Sequence, residues 1–397
     1  MNHRIILFLL LGLDVGMLLF QTAELSISYD EANILYGSLS FLQLITNTSL
    51  FLFGQNDLAL RLPMIIFHLL SVITLYLISK EYISKARNRV WLTFVFILLP
   101  GVMSSAIILN SAGIVIFGLL FFIYSYKNYN PKFIYILLLI YLFIESDFLY
   151  LFIALLIYSL YYKNRLFFLF NLMLITVSIY LYGYDILGSP KGYFIDAIAV
   201  YAAIFSPIIF IYIFYILYRR LLIKEIDIIW FISFVVLMLS LLLSFRQRIS
   251  IEDFAPYLII ALPLAAQTFY SSYRIRLRVF RGKYRAVFIL SLVFLLINSF
   301  IVFFNKNLYA VIENPKNHFV YKMHIAKDLA HELRIMNINC VDSSLKMSYR
   351  LRFYGINKCS SNKLEELSIP FEKKNDVSIR YMGNVVYAAN VTKINNK

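Results

Sequence analysis

From Ile5 to Phe304 the chain is a succession of apolar runs, most of them near the length that crosses a bilayer as helix. About 20 helical residues cover the roughly 30 Å hydrocarbon layer. Lipid offers nothing for backbone N–H and C=O groups to bond, so such runs must be helices that satisfy their own. The runs lie at 4–23, 62–79, 90–108, 111–126, 133–145, 148–162, 166–183, 198–218, 226–244, 256–272 and 286–304, giving eleven crossings. Hydrophobic residues make up 61% of the 397 and charged ones only 15%, which excludes an ordinary soluble domain. The first run leaves through Gln21-Thr22-Ala23-Glu24, a poor signal-peptide cleavage site, so it reads as a retained helix.

A net charge of +15 would suggest nucleic acid if it sat on one soluble face, but its placement argues otherwise. The cations cluster in short loops: Lys80, Lys85, Arg87 and Arg89; Lys127 and Lys132; Lys163 and Arg165; Arg219, Arg220 and Lys224; and Arg274, Arg276, Arg278, Arg281, Lys283 and Arg285. The positive-inside rule makes these loops cytoplasmic and excludes a nucleic-acid partner in favour of membrane lipids. The alternate loops hold just Arg61, Lys191, Arg246 and Arg248, with most of the loop acids, and face outward. Residues 133–162 read either as one long helix or as two short ones turning at Glu145-Ser146-Asp147. Parity favours two, because one helix would place the basic loop after Tyr273 outside.

Between Glu24 and Arg61 the chain is too polar to span and too apolar to float, and Ile34, Leu35, Leu39, Leu42 and Leu50 to Phe53 are spaced for interfacial helices. The tail alternates a helical pattern at Tyr321 to Met336, a strand-like Ile338 to Val341 and a second helical stretch at Leu345 to Phe353. A hairpin then flanks Gly383-Asn384. The expected fold is an α-helical polytopic membrane protein with juxtamembrane helices in its first outer loop and a small C-terminal α/β domain. The domain boundaries are 1–305 for the membrane part and 306–397 for the outer part.

Chemistry concentrates at Ser28-Tyr29-Asp30-Glu31-Ala32-Asn33, just past the first run. Adjacent carboxylates at a membrane surface suit a general base that deprotonates an acceptor. Ser28 and Glu31 also have capping-box spacing, so the same acids read equally as a helix start. Downstream, Phe53-Gly54-Gln55-Asn56-Asp57-Leu58-Ala59-Leu60-Arg61-Leu62-Pro63 leads into the second run, with Pro63 expected in the helix's first turn.

These segments, with Leu99-Pro100-Gly101, Ser244-Phe245-Arg246-Gln247-Arg248, Phe254-Ala255-Pro256-Tyr257 and Leu262-Pro263-Leu264, resemble the membrane-embedded C-type glycosyltransferases. The protein O-mannosyltransferases and the lipid A aminoarabinose transferases are the nearest kinds. The resemblance covers roughly residues 1–305. It implies inverting transfer of a monosaccharide from a polyprenyl-phosphate donor to a glycan, lipid A or protein acceptor, on the periplasmic side of a bacterial inner membrane. The N-terminus is then cytoplasmic. It also implies an acidic base in the first outer loop, which maps to Asp30 with Glu31 beside it. The chain departs from the family's pattern in three places: only Asn33 to Leu60 intervenes in the first loop, Asn110-Ser111-Ala112 stands where many relatives open a span with an acid, and Glu145-Ser146-Asp147 replaces a Lys-Gly-Pro.

A departing polyprenyl phosphate develops negative charge that Arg or Lys can stabilise, and the outward cations are Arg61, Lys191, Arg246 and Arg248. Each also suits snorkelling or a lipid headgroup. Substrate contacts fall to Asn110, Glu145, Asp147, Tyr193 and Tyr257, the tyrosines by stacking on a sugar or by interfacial anchoring. Glu145 and Asp147 leave a divalent cation open, although two carboxylates without a third ligand make a thin site. Asp14 lies inside the first run, where a charge needs a partner or a proton. The five histidines show no ligand motif. The two cysteines, Cys340 and Cys359, both lie in the tail, where an oxidising compartment permits a disulfide; small buried hydrophobes are the alternative. Two other functions compete, a transporter or flippase of a lipid-linked glycan and an inactive family member acting in assembly.

Overall fold

The computed structural model describes residues 3–183, 192–367 and 377–393. In chain order its helices are α1 (His3–Glu24), α2 (Tyr29–Tyr36), α3 (Phe41–Phe53), α4 (Asp57–Tyr82), α5 (Ala86–Leu98), α6 (Pro100–Ile107), α7 (Ser111–Asn128), α8 (Pro131–Ile144) and α9 (Leu149–Tyr161). They continue as α10 (Arg165–Tyr182), α11 (Phe194–Phe205), α12 (Pro207–Ile223), α13 (Ile228–Ser244), α14 (Ile251–Ile259), α15 (Leu262–Ile275), α16 (Arg278–Phe303), α17 (Ala326–Ile335) and α18 (Leu345–Phe353). Strands β1 (Asn362–Glu366), β2 (Val377–Tyr381) and β3 (Asn384–Lys393) complete the described residues. Five helices, α1, α4, α7, α10 and α16, are long and apolar enough to cross a membrane, and three bent pairs, α5–α6, α11–α12 and α14–α15, bring the total to as many as eight. With the shorter apolar helices α8, α9 and α13, these match the sequence's apolar runs one for one. The protein is a polytopic helical membrane protein.

Two compact units divide the chain: residues 1–15 with 64–299, and residues 16–63 with 300–397. In the first unit, local sequence explains each break. Between α8 and α9, Glu145 is extended (φ −156°) and Ser146–Phe148 form one 3-10 turn, so the apolar stretch 133–162 is two helices. Packing fixes that turn. Phe148 stacks on Tyr141 with centroids 4.3 Å apart, and the Tyr141 hydroxyl donates to the Gly118 carbonyl at 2.7 Å. A Cβ at residue 118 would stand 2.5 Å from Phe148 Cζ, so only glycine lets α7 approach this closely. The 107° bend between α11 and α12 falls at Ser206, which has φ +69° ahead of Pro207. Asp14 pairs with His68 (Oδ2 to Nε2, 2.8 Å), which removes both polar groups from lipid.

In the second unit, α2 packs on α18 through Tyr349, which stacks on Tyr29 at 6.2 Å and meets Tyr36 edge-on at 6.3 Å. The sheet is antiparallel in the order β1-β3-β2. Its hairpin turns on Met382-Gly383 (φ +48° and +81°), one residue before the expected Gly383-Asn384, because Tyr381 pairs with Asn384. A two-residue loop with both φ positive matches strand twist, and Gly383 takes that geometry without strain. The segment expected as strand at 338–341 forms only an isolated bridge from Cys340 to Asn357, since both sides of β3 are taken by β1 and β2. Cys340 and Cys359 are disulfide-bonded, with Cα atoms 5.5 Å apart.

Pro63 is not in the first turn of α4, because the helix already starts at Asp57. Inside a helix proline withholds an N–H from the carbonyl four residues earlier, here Ala59. Ser49 supplies the missing donor: its hydroxyl reaches the Ala59 carbonyl at 2.6 Å.

Candidate functional site

Ser28 caps α2, accepting from the Glu31 amide at 3.1 Å, while Glu31 Oε2 accepts from the Ser28 amide at 2.8 Å. The capping box expected as the structural reading is therefore formed. It turns Glu31 inward and Asp30, one position earlier on the helix, outward: Glu31 is fully buried and Asp30 exposed. Glu31 then meets Arg61, whose Nε and Nη2 donate to Oε1 at 2.8 Å and Oε2 at 2.9 Å. The rest of the guanidinium is bound by the carbonyls of Thr22, Leu25 and Ser26 at 3.1, 2.7 and 3.0 Å. Arg61 has no exposed surface and no donor pointed at solvent.

Asp30 makes no ion pair or carboxylate hydrogen bond among the described residues, and it lines a cavity of about 290 Å³ within the same unit. Tyr29, Tyr321 and Tyr387 wall this cavity, with Lys322, Lys346 and Arg350 among the charged residues around it. Beside it, Tyr354 accepts from the Ile27 amide at 3.0 Å and donates to Asp57 Oδ1 at 2.6 Å; burial and the Asp57 carboxylate push its phenol well above the usual range. Lys327 completes the Asp57 contacts at 3.0 Å.

The other predicted donor and substrate residues lie in the first unit, apart from Lys191, which falls outside the described residues. Asn110 caps α7, its side chain accepting from the Gly113 amide at 3.3 Å. Glu145 accepts from the Ser146 amide at 3.2 Å, and Asp147 from the Ser111 hydroxyl at 2.9 Å. Tyr257 is fully buried and donates to the Asp147 carbonyl at 2.6 Å, so its ring is held as core and its hydroxyl supports the 3-10 turn. Asp253 lies within electrostatic reach of Asp147 and Glu145, a neighbour the sequence did not single out. Among the described residues no three His, Cys, Asp or Glu are grouped to hold a metal ion. Tyr193 opens α11 with its amide on the Ser244 carbonyl at 3.0 Å. Arg246 and Arg248 are both exposed and form no ion pair among the described residues. A larger cavity of about 520 Å³ is lined mainly by apolar and aromatic side chains such as Trp91, Tyr212, Phe269 and Phe288, with no carboxylate, amine or imidazole among the described lining residues.

The sequence missed the Glu31–Arg61 pairing and the contribution of the tail to the cavity. The first had a signal, an acid and a base in one outward loop otherwise poor in cations. The second had none, since Arg350 is more than 300 residues from Asp30.

No protein-family profile matches the sequence, and no curated protein sequence matches it either. Among solved structures, the crystal structure of ArnT from Cupriavidus metallidurans in the apo state is similar at a TM-score of 0.54 and 10% identity, covering 96% of this chain and 97% of that one. At that identity the likeness is one of fold. The chain thus shares the fold of that ArnT structure along nearly its whole length.

Proposed function

We propose that this protein is a membrane-embedded glycosyltransferase that moves a monosaccharide from a polyprenyl-phosphate carrier to a hydroxyl acceptor, with inversion, on the outer face of a bacterial inner membrane. The observation that carries the reading is Asp30: a carboxylate without a partner among the described residues, exposed into a small polar cavity, on a helix whose first turn is pinned by a buried ion pair. Asp30 accepts the acceptor's hydroxyl proton. The acceptor oxygen bonds to the anomeric carbon as the bond from that carbon to the phosphate oxygen breaks, and the polyprenyl phosphate leaves with the electron pair.

Glu31 and Arg61 are positioning residues here, not base and phosphate ligand, because each is consumed by the other. Arg246 and Arg248 are assigned to the lipid phosphate on their own chemistry: exposed guanidiniums with no carboxylate partner among the described residues, suited to a phosphate by charge-assisted hydrogen bonds. The fold shared with ArnT supports the reading. The test is to delete the gene and compare envelope glycans, lipid A and secreted glycoproteins with the parent by mass spectrometry. Loss of one monosaccharide increment from one class supports transfer, and identical profiles overturn it.

A further inference from the structure

Arg350 is a buried cation without a counter-ion among the described residues. It is 5% exposed, donates from Nε to the Ile27 carbonyl at 3.0 Å and from Nη2 to the Lys322 carbonyl, and leaves Nη1 without a bond among the described residues. No described carboxylate stands within ion-pair distance. Glu31, whose charge reaches it, is already held by Arg61. Burial lowers the Arg350 guanidinium to about 10, so it is still charged at neutral pH. A buried charge is costly unless something pairs with it, and folded proteins rarely leave one alone.

That charge lines the cavity that Asp30 also lines, and the neighbouring groups are of matching character. Tyr321 has a buried hydroxyl with no hydrogen-bond partner among the described residues. Burial pushes its phenol up to about 12, which keeps it a donor. Lys322 and Lys346 are exposed at the cavity and belong to no ion pair among the described residues, while Glu366, which also lines it, is engaged by Lys316 at 3.0 Å. Tyr29 and Tyr387 also line the cavity, and Lys346 Nζ lies over the Tyr29 ring at 5.6 Å from its centroid. At about 290 Å³ the cavity is at the small end of the roughly 300–1,000 Å³ usual for small-molecule sites, room for a sugar ring and not for a chain.

We propose that this cavity is the acceptor subsite and that it selects an anionic saccharide: a sugar ring that carries a carboxylate or phosphate held by Arg350, Tyr321 and Lys346, with one of its hydroxyls presented to Asp30. The acceptor role rests on the transferase reading above; the anion site does not. The anion is a handle and not the nucleophile, since a base such as Asp30 serves a hydroxyl and has nothing to remove from an ionised phosphate or carboxylate.

The probes are glucuronic acid, glucose 6-phosphate and glucose, titrated into the purified full chain in detergent and followed by saturation-transfer NMR. At least one anionic hexose should bind tenfold or more tightly than glucose, and which one does tells carboxylate from phosphate. Arg350→Gln also removes structural bonds, so the decisive variants are Lys346→Glu, at an exposed side chain, and Tyr321→Phe, which removes a hydroxyl without a partner. The first should weaken the anionic probe at least tenfold and the second several-fold. Glucose binding as well as both acids, no binding of any probe, or unchanged affinity in Lys346→Glu would overturn the proposal. Anion binding in a chain that transfers no sugar would retain the anion site and overturn its role for an acceptor. Transfer to a neutral acceptor with neither anionic hexose bound would do the reverse.

Discussion

Arg61 and Glu31, 30 positions apart, form a two-pronged ion pair in which neither side chain has any exposed surface. The pair ties the start of α4 to the first turn of α2, and three backbone carbonyls complete the guanidinium's bonding. Removing one partner from such a pair strands the other charge, at a cost of about 3–5 kcal/mol. Arg61→Met should therefore lower the thermal midpoint of the purified protein sharply. The double variant Arg61→Met with Glu31→Gln should lose less than the two single losses combined, because neither charge is then left unpaired. Additive losses in the cycle would contradict the coupling.

Asp30, by contrast, holds nothing in place. Asp30→Asn should leave expression and melting unchanged while lowering transfer by 100-fold or more, the usual scale for loss of a general base. Turnover from a defined lipid-linked donor is the measurement, and near-wild-type turnover would remove Asp30 from the mechanism.

Replacing both Arg246 and Arg248 with Ala should weaken donor binding by about 2–5 kcal/mol if the contact with phosphate is dehydrated. The apparent affinity for a polyprenyl-phosphate sugar reads this directly. An unchanged affinity would reassign the two arginines to lipid headgroups.

His324 sets an acid limit on the second unit. Its Nδ1 accepts from the Tyr309 hydroxyl at 2.9 Å and its Nε2 donates to Asn305 Oδ1 at 3.0 Å, an arrangement of the neutral ring. Burial first, then the charges of His318 and Lys306, lowers its pKa from 6.5 to about 3. A depressed histidine stabilises the fold fully above its unfolded value and loses that contribution as pH falls from 6.5 toward 3. By pH 5 the loss is about 2 kcal/mol. Melting curves between pH 8 and pH 4 should show this decline, and His324→Gln should flatten it.

The Cys340–Cys359 disulfide closes a loop whose cross-link stabilises by about 3 kcal/mol in the chain-entropy account. In intact cells, a membrane-impermeant thiol reagent should label the tail only after reduction, with denatured protein as control. Thiols free in the denatured, unreduced sample would contradict the bridge, and a separate reporter fusion would then decide which side the tail occupies.

Hydrophobic period and length alone determined the membrane-spanning helices, because in lipid a run of that length has no alternative to helix. The break at Glu145 was legible from the parity of the basic loops, and the capping box at Ser28 from its local spacing. The helix bounds were less so: α4 begins at Asp57 and carries Pro63 inside it because Ser49, ten residues before Ala59, answers a carbonyl that the local sequence leaves open. The candidate site divides along the same line. Asp30 could be named from its neighbours, but the use of Arg61 depended on which acid the fold placed against it, and burial chose Glu31. The cavity beside Asp30 is assembled from α2 and from described tail residues as far apart as Tyr321, Arg350 and Tyr387, and no one-dimensional pattern links them. Tertiary structure alone decided which cation is buried and ion-paired, as in Arg61, and which is buried with no counter-ion among the described residues, as in Arg350, because desolvation depends on what surrounds a charge in three dimensions.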